Sequence, residues 1–196
     1  MNEDEAEFTK LMTAAQEYRK KKNYLKEISS LVKALDYDQK NYRVMVMIAM
    51  AYGQIGCAED AVQYINEALA INPDYYKAYN SLGNVFRGKG ELGKALECYE
   101  SAIARFPDNF SIHYNRALTA MDLTLYPKAI ESYEKAFTLN PSETIILKDL
   151  GDIYYRTQNY SKALEVLEKY LQSSADSPDA NQIRTKIKTI QKKLSL

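Results

Sequence analysis

The chain of 196 residues carries 26 lysine and arginine side chains and 26 aspartate and glutamate side chains. This balance excludes the global positive charge that attracts nucleic acid or anionic membranes. A hydrophobic fraction of 46% excludes a disordered or fibrous chain, so the composition predicts a soluble folded protein with no nucleic-acid partner.

The beginning of the chain and its cysteines bear on the cellular compartment. Residues 1–7 form an acidic tail that lacks the basic-then-apolar order of a secretory signal, and no apolar run of about 18 residues follows anywhere. Cys57 and Cys98 are too few and too far apart for a disulfide framework or a four-ligand zinc site, so both are expected to be free thiols. We expect a cytoplasmic location, no direct membrane insertion, no metal and no cofactor.

A repeat of 34 residues organises most of the sequence. Five blocks follow one another without insertion at 8–41, 42–75, 76–109, 110–143 and 144–177. The eighth place of each block holds a small residue, namely Ala15, Ala49, Gly83, Ala117 and Gly151. The twenty-fourth place holds a large one, namely Leu31, Ile65, Tyr99, Tyr133 and Leu167. Small residues where helices touch, large residues that fill the seams, and prolines near the block ends predict stacked helical hairpins.

These residues and this spacing resemble the tetratricopeptide repeat, and the resemblance covers nearly the whole chain. It implies an all-α fold, a right-handed superhelix or solenoid of five helical hairpins that form a single domain over 8–177. It also implies a protein-binding function, in which the first helix of each hairpin lines a concave groove.

The first block departs from this pattern. Glu27 stands at the twentieth place, where the four later blocks have alanine, and Gln39 replaces the proline near the block end. These two changes predict a looser, solvent-facing terminal repeat.

A final amphipathic segment occupies residues 178–196. Ile183, Ile187, Ile190 and Leu194 form an apolar stripe, and basic residues lie elsewhere on the same helix. The stripe predicts a capping helix that covers the last hairpin. A basic amphipathic helix that lies on a membrane or binds a partner is the alternative.

The predicted partner-binding surface consists of first-helix residues at the places that face the groove in this family. These residues are Arg43, Met47, Met50, Gln54, Asn80, Asn84, Arg87, Tyr114, Asn115, Leu118, Met121, Lys148, Asp152 and Arg156, and Val46 and Ser81 occupy further places of the same kind. Asparagines that pair with an extended backbone and adaptable methionines suit a protein or peptide ligand. The alternative is that some of these side chains pack against neighbouring hairpins.

The run Arg19-Lys20-Lys21-Lys22 makes the first block net positive, whereas the last two blocks are net negative. This asymmetry suits either an acidic partner or head-to-tail self-association, and a solvated turn between two helices is the third interpretation. Two functional hypotheses follow. The chain is a scaffold that binds a partner in its groove, or it is a self-assembling scaffold that organises a larger complex or an organelle surface.

No catalytic motif is recognisable in the sequence. His113 is the only histidine and falls at an aromatic packing place, and neither a Gly-x-Ser-x-Gly nor a His-Glu-x-x-His segment accompanies it. We therefore expect no enzymatic activity.

Overall fold

The computed structural model describes residues 2–195, and every helix or strand within that range is an α-helix. The helices are α1 (Glu3–Lys20), α2 (Tyr24–Leu35), α3 (Tyr42–Gln54), α4 (Ala58–Ile71), α5 (Tyr76–Gly88), α6 (Leu92–Arg105), α7 (Phe110–Asp122), α8 (Tyr126–Leu139), α9 (Ile145–Arg156), α10 (Tyr160–Ser173) and α11 (Ala180–Leu194). The first ten pack in consecutive pairs as five hairpins. The predicted all-α fold of helical hairpins is thereby confirmed.

The first helix begins before the first predicted block. Residues 3–7, expected to form an acidic tail, belong to α1. The Asn2 side chain accepts a hydrogen bond from the Glu5 N–H at 2.7 Å, and the Glu5 carboxylate accepts one from the Asn2 N–H at 3.1 Å. This reciprocal capping box satisfies two N–H groups that a helix start leaves without partners. Acidic side chains in the first turn also suit the positive end of the helix dipole.

The helices form two compact units that divide between Pro107 and Asp108. Unit 1 contains α1 to α6, and unit 2 contains α7 to α11. Unit 1 contains two clusters of buried apolar residues, one with Ile48 and one with Ile65, and unit 2 contains one, with Tyr133 and Ile153. The division falls next to the predicted boundary of the third and fourth blocks. A single domain over 8–177 stays a prediction.

Close contacts join the eighth and twenty-fourth places of the repeat. A methyl group added to Gly83 would overlap the ring of Tyr99, and one added to Gly151 would overlap the side chain of Leu167. Tyr99 and Leu167 are fully buried. The small residues therefore permit an approach of two helices that a larger side chain would prevent.

The turn inside each hairpin has one left-handed residue at the same place of the repeat. The residues are Lys22 (φ 55°), Gly56 (φ 81°), Gly90 (φ 80°), Thr124 (φ 57°) and Gln158 (φ 60°). Glycine adopts this conformation without steric cost, whereas a β-branched residue such as Thr124 is strained there. The repeat therefore fixes the backbone path of the turn even where the sequence lacks glycine.

Helix α11 packs on α10 at the end of unit 2. Ile183, Ile187 and Ile190 are buried in the unit 2 core. Leu194 is 46% exposed, so its predicted place in the covered stripe is wrong. It is the last residue of α11, one turn beyond the buried Ile190. No stretch of helix within residues 2–195 combines the length and hydropathy needed to cross a lipid bilayer.

Candidate partner-binding surface

Three predicted surface residues lie together in unit 1, where α3 contacts α5. Met50, Gln54 and Asn84 are exposed and line a cavity of about 160 Å³ whose walls also include Ser81 and Val85. We call it the Asn84 cavity. Two residues of α3 and one of α5, which are neighbouring first helices, are thus available to the same bound side chain.

Asn84 is held in one orientation by the helix behind it. The Tyr99 hydroxyl donates to Asn84 Oδ1 at 2.6 Å. Because this bond uses the carbonyl oxygen, the Asn84 amide offers N–H donors on the exposed surface. An amide held in this way loses less side-chain entropy when it binds a backbone carbonyl.

A second cavity of about 190 Å³ lies beside the first, and we call it the Glu27 cavity. Its walls are Arg19, Tyr24, Glu27, Met50, Ala51 and Gln54, so the two cavities share Met50 and Gln54. The second helix of the first hairpin contributes Tyr24 and Glu27 to it, although the repeat pattern predicted partner contacts from first helices alone. The sequence feature that could have indicated this cavity is Glu27, a carboxylate at the place where the four later blocks have alanine.

Glu27 does not produce the solvent-facing repeat that its charge predicted. The residue is fully buried, and Arg19 Nε donates to its Oε1 at 2.7 Å. Arg19 is eight residues earlier in the chain and reaches across the hairpin, so the ion pair replaces the small packing residue of the other blocks. Burial of a charged group requires such a partner.

The other predicted residues of unit 1 differ in accessibility. Arg43 is exposed, with its guanidinium carbon 5.8 Å from the centre of the Tyr42 ring. Met47 is half-buried against the core, and Asn80 and Arg87 are also half-buried and make further interactions. Val46 and Ser81 are 2% and 5% exposed, so predicting them as open groove residues was wrong. Helix α3 contacts α2, α4 and α5, and α5 contacts α3, α4 and α6, so packing within unit 1 leaves little of these two residues open.

The predicted residues of α7 contribute to packing in unit 2. Tyr114 stacks on Phe110 at 5.8 Å between ring centres and meets Tyr133 edge-on at 5.8 Å. Leu118 and Met121 are half-buried and pack against the unit 2 core. Asn115 is half-buried and makes interactions of its own. For this helix, packing against neighbours accounts for much of the apolar surface that the sequence pattern assigned to a ligand. His113 of the same helix is buried.

Two of the three charged residues predicted on α9 are engaged with the segment that contains α11. Lys148 Nζ lies 2.7 Å from Asp179, and Lys186 Nζ lies 2.5 Å from Asp152. Arg156, at the end of α9, is exposed. Helix α11 therefore presents Lys186 beside the first-helix residues of the fifth hairpin.

Titration of this region depends on burial and on these pairs. Burial raises the pKa of Asp149 to about 6, although Lys148 and a hydrogen bond from Tyr133 act in the opposite direction. The hydrogen bond from Lys148 holds the pKa of Asp179 well below its usual range, and the same bond raises the pKa of Lys148. Asp149 is thus the carboxyl in this cluster whose charged form is disfavoured by the fold.

The basic run of the first hairpin is partly neutralised within the hairpin. Arg19 pairs with Glu27, and Lys20 Nζ lies 2.8 Å from Glu17. Lys21 and Lys22 are exposed. Self-association through this run stays a prediction.

A third cavity, of about 390 Å³, lies between the start of α1 and the end of α2 and includes Asp4, Glu5 and Asp38. Glu5 takes part in the capping box, and Asp38 accepts a hydrogen bond from Asn41. These groups serve the helix ends. Among residues 2–195 no group of three or more histidine, cysteine or acidic side chains is arranged to hold a metal, and both cysteines are free thiols.

Comparisons with known proteins agree with the repeat. The family model described as "Tetratricopeptide repeat protein 21 C-terminal ARM domain" matches residues 6–150, and the model "Tetratricopeptide repeat" matches residues 120–187. Among curated proteins, "BBSome complex member BBS4" from Bos taurus is 24% identical over 142 residues, which cover 72% of this chain and 27% of the relative. The chain spans 27%, 23% and 34% of the first three curated relatives it matches, so it corresponds to a part of each.

Solved structures are similar in fold. The Pseudomonas aeruginosa protein pilF has a TM-score of 0.80 at 16% identity, and the match covers 97% of this chain and 87% of that one. The MamA protein from Desulfovibrio magneticus has a TM-score of 0.70 at 19% identity, with 88% of this chain and 97% of that chain covered.

Proposed function

Since this chain belongs to the tetratricopeptide repeat family, we propose that it is a protein–protein interaction scaffold that binds an extended segment of a partner along the first helices of unit 1. The observation that carries this proposal is the pair of adjacent cavities that share Met50 and Gln54. Two side chains of one extended segment would occupy them, while Asn84 donates to the segment's backbone.

The chemistry of the surface supports a peptide over a small molecule. The volume of each cavity is below the range of about 300–1,000 Å³ that drug-sized ligands require. Both cavities open onto the same surface. Met50 is 45% exposed, so its flexible thioether side chain is available to adapt to a bound segment. One relative is named as a complex member, which supports a role within a protein assembly.

Quantitative affinity capture from a cell extract tests this proposal. The unmodified chain is compared with the variant Met50→Glu/Gln54→Glu, which places two charges in the shared wall of the cavities. The matched control is Gln63→Glu/Asn66→Glu, which adds the same two charges to exposed places on α4 of the same unit. Thermal unfolding confirms that both variants are folded before capture.

We expect partners held by the surface to fall by at least about tenfold with the first variant and to remain with the control, because burial of an uncompensated carboxylate is costly. Equal retention by both variants would exclude the surface as a partner site. Equal loss with both would mean that net charge, and not this surface, governs retention.

A further inference from the structure

The ion pair beneath the Glu27 cavity leaves one donor and one acceptor unsatisfied. Both close contacts from Arg19 go to the same carboxylate oxygen, Oε1, with Nε at 2.7 Å and Nη2 at 2.6 Å. The Nη2 contact lacks the alignment of a hydrogen bond. Glu27 Oε2 is buried and has no hydrogen-bond partner among residues 2–195. Buried polar atoms are nearly always paired, so a polar group that reached these two atoms would gain hydrogen bonds that the chain itself does not supply.

The position of this pair is specific to the first hairpin. The four later repeats have an alanine at the same place, and each of those alanines is fully buried. A carboxylate at such a place adds nothing to packing that alanine does not already provide, and it requires a counter-charge. Packing alone therefore does not account for the charge at this place, and a role in recognition does.

The shape and polarity of the cavity limit what it can hold. A volume of about 190 Å³ accommodates one amino-acid side chain, and Tyr24, Met50 and Ala51 supply apolar walls around its stem. The tip of that side chain meets Glu27 Oε2 and the Arg19 guanidinium. Both atoms are buried, so the tip reaches them only when the Arg19 guanidinium, part of a side chain that is 39% exposed, shifts aside.

We propose that the Glu27 cavity receives a glutamine side chain from the partner segment. This inference rests on the proposed function and names the chemistry that the surface selects. The carboxamide N–H donates to Glu27 Oε2, and the carboxamide oxygen accepts from Arg19 Nη2, which satisfies both unpaired atoms with one planar group.

Charged side chains fit this arrangement less well. A lysine or arginine would enter a site where Arg19 already compensates Glu27 and where Lys20, Lys21 and Lys22 add positive charge nearby. A glutamate would place a second carboxylate against Glu27 Oε2. An apolar side chain of the same length would leave both polar atoms unpaired.

Methionine-methyl NMR on the full chain tests the proposal with small probes. The chain is labelled with ¹³C at the methionine methyl groups, and the Met50 signal is identified with Met50→Leu. Four N-acetyl, N-methylamide amino acids are titrated separately: glutamine, glutamate, norleucine and lysine. We expect the glutamine probe to shift the Met50 signal saturably at millimolar concentration. The other three should bind at least about tenfold more weakly, since glutamate and lysine each lack one of the two hydrogen bonds and norleucine lacks both.

Two variants locate the effect. Glu27→Ala introduces the residue that the later repeats carry and is expected to abolish the preference for glutamine. Glu97→Ala removes an exposed carboxylate from α6 of the same unit and is expected to leave the preference unchanged. A preference that survives Glu27→Ala overturns the proposal. Three results on the unmodified chain also overturn it: norleucine binds as tightly as glutamine, lysine binds more tightly, or no probe shifts the Met50 signal. These results do not depend on whether the variants fold.

These outcomes are distinct from failure of the proposed function. Partner capture that depends on Met50 and Gln54, combined with no glutamine preference, overturns this inference alone. A glutamine preference that depends on Glu27, combined with partner capture that ignores the surface, supports the cavity chemistry and overturns the partner site.

Discussion

Replacement of Gly83 by alanine tests the closest helix contact in the third hairpin. The three atoms nearest to an added Cβ all belong to the ring of Tyr99, and each would overlap it. Tyr99 is fully buried and its hydroxyl is bonded to Asn84, so the ring cannot move aside unless the helices separate. The substitution therefore has two opposing effects on stability. Overlap with the ring destabilises the fold, whereas the better helix propensity of alanine stabilises it.

The magnitudes decide which effect is larger. Alanine gains about 1 kcal/mol over glycine in a helix interior. Overpacking of a filled core costs about 1–3 kcal/mol, and loss of the Tyr99–Asn84 hydrogen bond costs about 0.5–1.5 kcal/mol. We expect Gly83→Ala to lower the free energy of unfolding by about 0.5–3.5 kcal/mol net, and each kcal/mol lowers the melting temperature by roughly 2–4 °C.

The measurement is thermal and urea unfolding followed by circular dichroism. The matched control is Gly93→Ala, since Gly93 is helical, exposed and has no atom within 4 Å of an added Cβ. The control should gain up to about 1 kcal/mol. If Gly83→Ala were as stable as Gly93→Ala, the ring of Tyr99 would not be held as described, and the orientation assigned to Asn84 would lose its basis.

Three further predictions concern unit 2. Because the folded pKa of Asp149 is about 6 and lies above its ordinary 3.8, the folded state keeps the proton longer, and stability falls as the pH rises from about 4 to about 6. Asp149→Asn should raise the free energy of unfolding at pH 7 by at most about 3 kcal/mol and flatten this pH dependence. Denaturant titrations at pH 4 and pH 7 measure it. The prediction is contradicted if the variant loses as much stability between the two pH values as the unmodified chain does. Thr124→Gly should raise the melting temperature, because relief of a left-handed β-branched residue is worth about 0.5–1 kcal/mol net, and an unchanged or lower value would refute the strain. Ile190→Ala should cost about 2–5 kcal/mol in urea unfolding, whereas Leu194→Ala should cost less than about 0.5, and similar losses would place both side chains in the core.

The repeat itself was predictable from the sequence because its packing rule is local and periodic. The small residues Gly83 and Gly151 face Tyr99 and Leu167 sixteen residues later, and these four lie where the period of 34 places them. The period also fixed the starts of the first helices in the second to fourth blocks, since each begins at the first residue of its block.

The sequence predicted Glu27 poorly because two signals conflicted there. The register indicated burial and the charge indicated exposure, and the Arg19 side chain resolves the conflict in favour of burial. Val46 and Ser81 were misplaced for a different reason. The angular width of the open face depends on how closely α3 and α5 approach their neighbours, and that distance is not encoded in the spacing of any one helix. The spacing of Leu194 places it on the apolar stripe of α11. The spacing does not show where the hairpin surface that covers this stripe ends.

Met50 forms part of the wall between two cavities, and this has a consequence for the sequences that such a surface would accept. A thioether with three rotatable bonds is a movable partition, so a larger side chain on one side leaves less room on the other. The surface would then select the combined size of two ligand residues more strictly than the size of either. In a library of peptides bound to unit 1, the volumes at those two positions should vary in opposite directions, and a consensus taken one position at a time would miss the rule.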